Sequence, residues 1–173
     1  MDAERWAQRL ENRVEAVVKW TVVTILAILC VNVFVQVILR YIFLYSSRWT
    51  LEVSRYLIIW AVLLASGPAL KYGVLVGVDT LTQRLQPRTR TWISCALRAL
   101  MGIFACTIVF QALKLMQSQW EMNQLSPALE IPMALVYMAL PVGFSVFLFY
   151  LIVLTYNDLL HPGRSTATVI KIE

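Results

Sequence analysis

The sequence has very few of the residues that carry redox and metal chemistry. Its 173 residues include one histidine and three cysteines. A four-helix haem protein needs paired histidines within its helices to ligate iron, but His161 lies in the C-terminal tail. A membrane thiol oxidoreductase needs reactive cysteine pairs, whereas Cys30, Cys95 and Cys106 stand alone in apolar segments. The sequence therefore predicts no cofactor, no metal site and no disulfide.

Charge is also scarce, and it is nearly absent from four long apolar segments. Charged residues make up 14% of the chain and hydrophobic residues 60%, with a mean hydropathy of +0.69. A helix needs about 20 apolar residues to cross the hydrocarbon core of a bilayer. We expect spans over about residues 17–40, 50–71, 91–115 and 131–157. The sequence therefore predicts an all-α integral membrane protein with a single membrane domain over residues 1–173.

Carboxylates are missing from the middle of these segments. Asp79, Glu121 and Glu130 fall in predicted loops, and Asp158 falls at a helix end. A proton-coupled transporter that works alone needs a buried acidic residue within a span. There is also no phosphate-binding glycine loop and no nucleophile–base pair, so we expect no enzymatic activity. An autonomous, homo-oligomeric small transporter is the alternative function, with four uncharged candidates for its polar path: Asn32, Gln36, Ser66 and Gln111.

The distribution of positive charge predicts the orientation in the membrane. Ten Lys and Arg residues lie in the N-terminal segment, the loop between spans two and three, and the tail, against four in the other two loops. The positive-inside rule then places both termini in the cytoplasm. The net charge of +5 reflects this topology and contact with anionic phospholipids. Scattered basic residues of this kind do not predict a nucleic-acid partner.

The segment before the first span predicts an amphipathic helix over about residues 2–18. Trp6, Leu10, Val14 and Val17 recur at helical spacing on one face, and charged residues occupy the others. We expect this helix to lie on the cytoplasmic membrane surface as a lipid anchor rather than as a docking arm.

One charged residue, Arg98, lies inside an apolar segment. Fifteen uncharged residues, or about 22 Å of helix, separate it from Lys114. Trp92 and Trp120 lie just outside this pair. We expect both cations to extend to opposite edges of the hydrocarbon or to contact another subunit. A role for Arg98 in substrate or ion binding is the less favoured alternative.

The first external loop carries aromatic residues and an acidic residue between two arginines. Three aromatic residues share one face of the predicted helix: Trp49, Tyr56 and Trp60. Glu52 lies four residues after Arg48 and three before Arg55, within reach of both along a helix. We expect Glu52 to pair with one of these arginines and to brace the first two spans.

Prolines organise the third loop and the start of the last span. Ser126-Pro127 and Ile131-Pro132 predict a short turn, because proline disfavours helix at the residue before it. Pro141 leaves one backbone carbonyl without its helical donor, and Gly143 permits close approach of another helix. In a subunit of a complex, these positions would be contact surface.

Together these features resemble the small membrane subunit of tripartite ATP-independent periplasmic (TRAP) transporters, the DctQ-like family. The first matching stretch contains Arg40-Tyr41, Trp49, Glu52, Arg55-Tyr56 and Trp60. The second contains Gly73 and Val78-Asp79. The third contains Ser126-Pro127-Ala128-Leu129, Ile131-Pro132, Tyr137, Pro141 and Gly143. The chain departs from the family at Leu75, where a histidine is common, and at Lys71-Tyr72, where two arginines are frequent.

The resemblance implies a division of labour in the bacterial inner membrane. A periplasmic binding protein would capture an organic acid, such as a dicarboxylate or sialic acid. A large M-type membrane subunit would carry the substrate and sodium sites of this secondary transporter. The small subunit would pack against the large one as a scaffold and offer its external loops to the binding protein. The candidates for partner contact or bracing are Arg40, Tyr41, Arg48, Trp49, Glu52, Arg55, Tyr56, Trp60, Arg98, Ser126, Pro127, Pro132, Pro141 and Gly143.

Overall fold

The computed structural model describes residues 2–45, 47–71 and 87–160 of the chain. These residues form five helices: α1 (Asp2–Tyr41), α2 (Arg48–Lys71), α3 (Pro87–Glu121), α4 (Met133–Tyr137) and α5 (Ala139–Leu160). The only extended pairing within the described part is an isolated bridge between Leu125 and Pro132. The predicted all-α architecture is confirmed.

Four helical stretches in the described residues are long and apolar enough to cross a membrane. They are Asn12–Tyr41, Arg48–Lys71, Ala96–Glu121 and Met133–Tyr156. This finding confirms the predicted class of multi-span helical membrane protein. Because α1 runs without a break from Asp2, the division of this helix into a surface segment and a span stays a prediction.

The helices lie in a row, in the order α1, α2, α5, α3. Helix α1 packs mainly on α2, α2 on α5, and α5 on α3, while the short α4 contacts α3 and α5. The four spans therefore form a spread layer rather than a compact bundle. A layer buries few residues, so large apolar side chains such as Trp20, Val31 and Phe34 remain exposed along α1.

The break between α4 and α5 follows from Pro141. Proline has no backbone N–H, so the carbonyl of Tyr137, four residues earlier, loses its helical donor. Helix α4 ends at Tyr137, and α5 begins at Ala139. Within α5, the hydroxyl of Ser145 donates to the Pro141 carbonyl at 2.6 Å. The proline therefore interrupts the helical hydrogen bonds at the start of the fourth span.

Two glycines allow α2 and α5 to approach closely. A Cβ at Gly143 would lie 2.5 Å from Cβ of Leu63 and 3.0 Å from its carbonyl carbon. On the facing helix, a Cβ at Gly67 would lie 2.8 Å from Cδ2 of Tyr150, whose side chain is fully buried. Small residues at membrane-helix interfaces permit this kind of backbone contact. The close packing of α2 against α5 fixes the middle of the row.

Candidate partner-contact site

A polar cluster joins the start of α2 to the loop between α3 and α4. We call it the Glu52 cluster, and it consists of Glu52, Tyr56, Ser126 and Met133. The Ser126 hydroxyl donates to the Glu52 carboxylate. The Tyr56 hydroxyl lies 3.1 Å from Oγ of Ser126 and 3.8 Å from Sδ of Met133. Because Ser126 is only 2% exposed and Glu52 is half-buried, the cluster is largely removed from solvent.

The expected pairing of Glu52 with Arg48 or Arg55 was wrong. Neither arginine forms an ion pair with this carboxylate among the described residues, and both are exposed. The α3–α4 loop instead brings a buried hydroxyl to the carboxylate. An exposed arginine would lose side-chain entropy if it formed an ion pair with Glu52, and exposed ion pairs contribute little to stability. The brace therefore links α2 to a distant loop rather than to its own helix.

The loop that supplies Ser126 is a tight turn, as the Ser126-Pro127 and Ile131-Pro132 pairs predict. The Ser126 N–H donates to the Ile131 carbonyl at 2.9 Å, and the Glu130 N–H donates to the Ser126 carbonyl at 3.1 Å. Just outside the turn, the Met133 N–H donates to the Gln124 carbonyl at 2.9 Å. These backbone hydrogen bonds hold Ser126 at the position from which its hydroxyl donates to Glu52.

A second polar contact joins α1 to α2 within the apolar layer. The amide nitrogen of Asn32 donates to the Thr50 carbonyl and to Oγ of Ser54, both at 2.8 Å. Thr50 is fully buried, and its hydroxyl donates to the Ser47 carbonyl at 3.0 Å. The amide of Asn32 is thus engaged within the chain, which weakens its candidacy for the polar path of an autonomous transporter. The sequence did not predict this contact, although the spacing of Thr50 and Ser54 by one helical turn places both on the same face of α2.

Replacing Asn32 by leucine is expected to loosen the packing of α1 on α2. Two hydrogen bonds are lost, and interhelical hydrogen bonds in membranes contribute about 0.5–1.5 kcal/mol each. Thermal unfolding of the purified chain in mild detergent would show a lower midpoint. Gln36→Leu is the matched control, because Gln36 lies one turn further along α1 and makes no hydrogen bond among the described residues. Equal midpoints for the two variants would contradict the role of Asn32.

An ion pair joins α1 and α2 at the other end of the layer. Nζ of Lys71 lies 2.6 Å from Oε2 of Glu15. Both side chains are partly exposed, so the pair contributes little stability by itself. This contact could not be predicted from the sequence, because the two residues are 56 positions apart and no helical spacing relates them.

Arg98 contacts its own chain across the α3–α5 interface. Its Nη1 donates to the Leu154 carbonyl at 3.3 Å, and the side chain is half-buried. Lys114, at the other end of the same span, is exposed and holds its ammonium group 4.4 Å from the centre of the Phe110 ring. The positions of these cations relative to the hydrocarbon edges, and any contact with another subunit, stay predictions.

The remaining candidates divide by exposure. Arg40, Tyr41, Arg48, Trp49, Arg55, Pro127 and Pro132 are exposed, Trp60 is half-buried, and Pro141 and Gly143 are buried. The guanidinium of Arg40 lies 6.0 Å from the centre of the Tyr41 ring. The structure therefore brings Glu52, Tyr56 and Ser126 together but does not add an arginine to them. Gly73, Leu75 and Val78-Asp79 fall outside the described residues.

Metal-ligating residues do not cluster in the part of the chain that the structure describes. No group of three or more His, Cys, Asp or Glu side chains suited to a metal ion is found there. The chemistry of the site is hydrogen bonding and apolar contact.

Comparisons with known proteins match the chain to one family. Residues 29–161 match the model of the family described as tripartite ATP-independent periplasmic transporters, DctQ component. The chain is 34% identical over 129 residues to the isethionate TRAP transporter permease protein DctMQ of Oleidesulfovibrio alaskensis, covering 70% of this chain and 20% of that protein. It is 30% identical over 117 residues to a TRAP transporter small permease protein of Haemophilus influenzae, covering 68% of this chain and 71% of that protein.

A further relative is the C4-dicarboxylate TRAP transporter small permease protein DctQ of Rhodobacter capsulatus. The identity is 31% over 102 residues, covering 58% of this chain and 44% of that protein. The chain thus spans about a fifth of the DctMQ protein and less than half of the Rhodobacter protein.

Proposed function

The chain belongs to the DctQ component family of the TRAP transporters, and we propose that it is the small permease subunit of a sodium-coupled importer of an organic acid. It packs against a large membrane subunit in the bacterial inner membrane and has both termini in the cytoplasm. The large subunit carries the substrate and the sodium ions. The small subunit acts as scaffold and catalyses no reaction.

The row of four helices is the observation that carries the scaffold role. A row leaves the outer faces of its helices exposed, so lipid or another membrane protein must cover them. The polar groups of Asn32 and Arg98 are directed to neighbouring helices of the same chain. Such an arrangement stiffens the layer and leaves these groups little capacity to coordinate a moving ion or solute. The support of a larger transporter is the function that this geometry favours.

The substrate class is inferred from the names of the relatives. One is named for isethionate and another for C4-dicarboxylates, and both substrates are organic anions. We therefore propose an organic acid as the substrate of the assembled transporter. The large subunit and the binding protein select it.

The Glu52 cluster supports a second part of the proposal, a platform for the periplasmic binding protein. The cluster fixes the α3–α4 loop against the start of α2. Arg40, Arg48 and Arg55 are exposed at the same end of the layer. A preorganised surface loses less conformational entropy when a soluble protein binds to it. We propose that this surface faces the periplasm.

Co-purification from the native membrane tests the subunit role. We expect the tagged chain, extracted in mild detergent, to retain a roughly stoichiometric large membrane protein that mass spectrometry identifies. Added substrate and sodium should then support capture of a periplasmic binding protein. A tag on an unrelated inner-membrane protein of similar size is the control. Recovery of the chain alone, folded and monodisperse, together with uptake by that chain in liposomes, would support the autonomous transporter instead.

A further inference from the structure

The outward face of α3 differs from the rest of the exposed surface of the layer. This face points away from α5 and carries residues at helical spacing that are all exposed: Leu100, Ile103, Phe104, Thr107, Phe110, Gln111 and Lys114. We call it the α3 outer face. On the opposite side of the helix, Ala105 and Ala112 are buried and Arg98 reaches α5. Helix α3 thus ends the row, and its outer face has no partner within the described chain.

Gln111 places an amide on this face at membrane depth. It precedes Lys114 by three residues, which sets it about 4.5 Å further into the span. The amide makes no hydrogen bond among the described residues. Thr107, one turn deeper, is satisfied because its hydroxyl donates to the Ile103 carbonyl at 2.9 Å. An amide without a partner in hydrocarbon carries a large desolvation cost, so Gln111 is poorly suited to contact lipid tails.

The exposed face of α1, at the other end of the row, suits lipid. Its large exposed residues at mid-span are apolar: Val23, Ile28, Val31, Phe34 and Val37. Its amides, Asn32 and Gln36, lie on the half-buried side that faces α2. The hydroxyls of α2 and α5, at Ser54, Ser66 and Ser145, all take part in hydrogen bonds within the chain. Gln36 also makes no hydrogen bond among the described residues, but it is half-buried, whereas Gln111 is exposed. The α3 outer face therefore carries the exposed amide near mid-span.

We infer that the large membrane subunit packs against the α3 outer face, with a polar side chain that hydrogen-bonds Gln111 and an acceptor or carboxylate near Lys114. This inference rests on the proposed function. A soluble partner cannot reach the depth of Gln111, and lipid tails offer it no hydrogen bond. A second copy of the chain, packed symmetrically through the same face, would bring two Lys114 ammonium groups together at the same edge of the membrane, where like charges repel. A different membrane protein is the occupant that satisfies both residues.

Photo-crosslinking in the native membrane tests the inference. A benzophenone analogue of phenylalanine is placed at residue 107 on the α3 outer face, or at residue 31 on α1 as the matched control. Threonine and valine are nearly isosteric, and both positions are exposed near the middle of their spans. We expect an adduct that contains the small and the large subunit from residue 107, and none from residue 31. Adducts with the large subunit from residue 31 alone, or a product of two small subunits from residue 107, would overturn the inference.

A variant separates the role of Gln111 from that of the face as a whole. Gln111→Leu should lower the ratio of large to small subunit recovered in detergent by about threefold to tenfold, as expected for the loss of an interhelical hydrogen bond. The thermal midpoint of the chain alone should not fall, because Gln111 makes no bond within it. If residue 111 faced lipid, leucine would leave the ratio unchanged or raise it, and the inference would be wrong. Failure of the unsubstituted chain to recover any large subunit would instead remove the proposed function, and this inference with it.

Discussion

Replacement of Gly143 by alanine is expected to push α2 and α5 apart and to lower the free energy of unfolding by about 1–3 kcal/mol, as overpacking of a filled interior typically does. The new Cβ would lie 2.5 Å from Cβ of Leu63 and 3.0–3.1 Å from its carbonyl carbon and oxygen. None of these atoms is the end of a flexible side chain. The main chain of one helix must therefore move, and the whole row shares that movement because α2 and α5 are its central members.

Gly102→Ala is the control for this variant. This variant also replaces a helical glycine by alanine, here in α3, so helix propensity changes by the same amount. The new Cβ, however, would lie 3.5 Å from Cδ2 of Leu151, an ordinary contact distance. We expect this variant to match or slightly exceed the parent, since alanine is the better helix former. Thermal unfolding of both variants in the same detergent gives the comparison. If Gly143→Ala were as stable as Gly102→Ala, the close approach of α2 to Gly143 would not exist in the membrane protein.

The assembled transporter should amplify the effect of Gly143→Ala. A change in the separation of α2 and α5 alters the distance between α1 and α3, the two ends of the row. Any partner that contacts more than one helix then loses part of its complementary surface. We expect lower recovery of the large subunit with this variant, and normal recovery with Gly102→Ala.

The sequence predicted the features that depend on local composition. Hydropathy indicated four membrane-length helices, because a span is a property of about 20 consecutive residues. The two Xaa-Pro pairs predicted the turn at Ser126, and Gly143 indicated a close helix contact. These predictions need only the residues of one segment and the physical properties of proline and glycine.

The sequence did not predict the features that depend on distant pairs. The hydroxyl that meets Glu52 is 74 residues away in the chain, and the residues that bind Asn32 are 18 and 22 away. Helical spacing offered Arg48 and Arg55 as nearer partners for Glu52, and this interpretation was wrong. The order of the helices in the row was also unreadable, because the spans are apolar on most faces and no polar stripe marks the buried side.

Charge reversal at Glu52 is the second change for which we expect a large effect. Glu52→Lys removes the acceptor for Ser126 and places a third cation within two turns of α2, between Arg48 and Arg55. Hydrogen bonds to charged groups contribute about 1.5–3 kcal/mol, and the buried Ser126 hydroxyl would also lose the carboxylate to which it donates. We expect the α3–α4 loop to leave its position on α2 and uptake by the assembled transporter to fall about tenfold or more.

Two further substitutions separate the contact from the charge. Glu130→Lys makes the same change of charge on an exposed residue of the same loop, and we expect it to retain most of the uptake. Glu52→Gln keeps an oxygen that can accept from Ser126, so it should also remain close to the parent. If both lysine variants reduced uptake equally, the charge of the surface would matter rather than the contact between Glu52 and Ser126.

The readout of Glu52→Lys distinguishes bracing from docking. Loss of the large subunit from the purified complex would show that the Glu52 cluster braces the small subunit for assembly. A complete complex with weaker capture of the binding protein would show that the cluster organises the periplasmic platform. Loss of the large subunit would mean that the packing of α2 and the α3–α4 loop within the layer has changed. Weaker capture of the binding protein would mean that only the surface formed by α2 and this loop has changed. An intact complex with normal uptake would contradict both roles. The lysine at residue 52 cannot accept from the Ser126 hydroxyl, so the contact between α2 and the α3–α4 loop, on which both roles depend, would be lost.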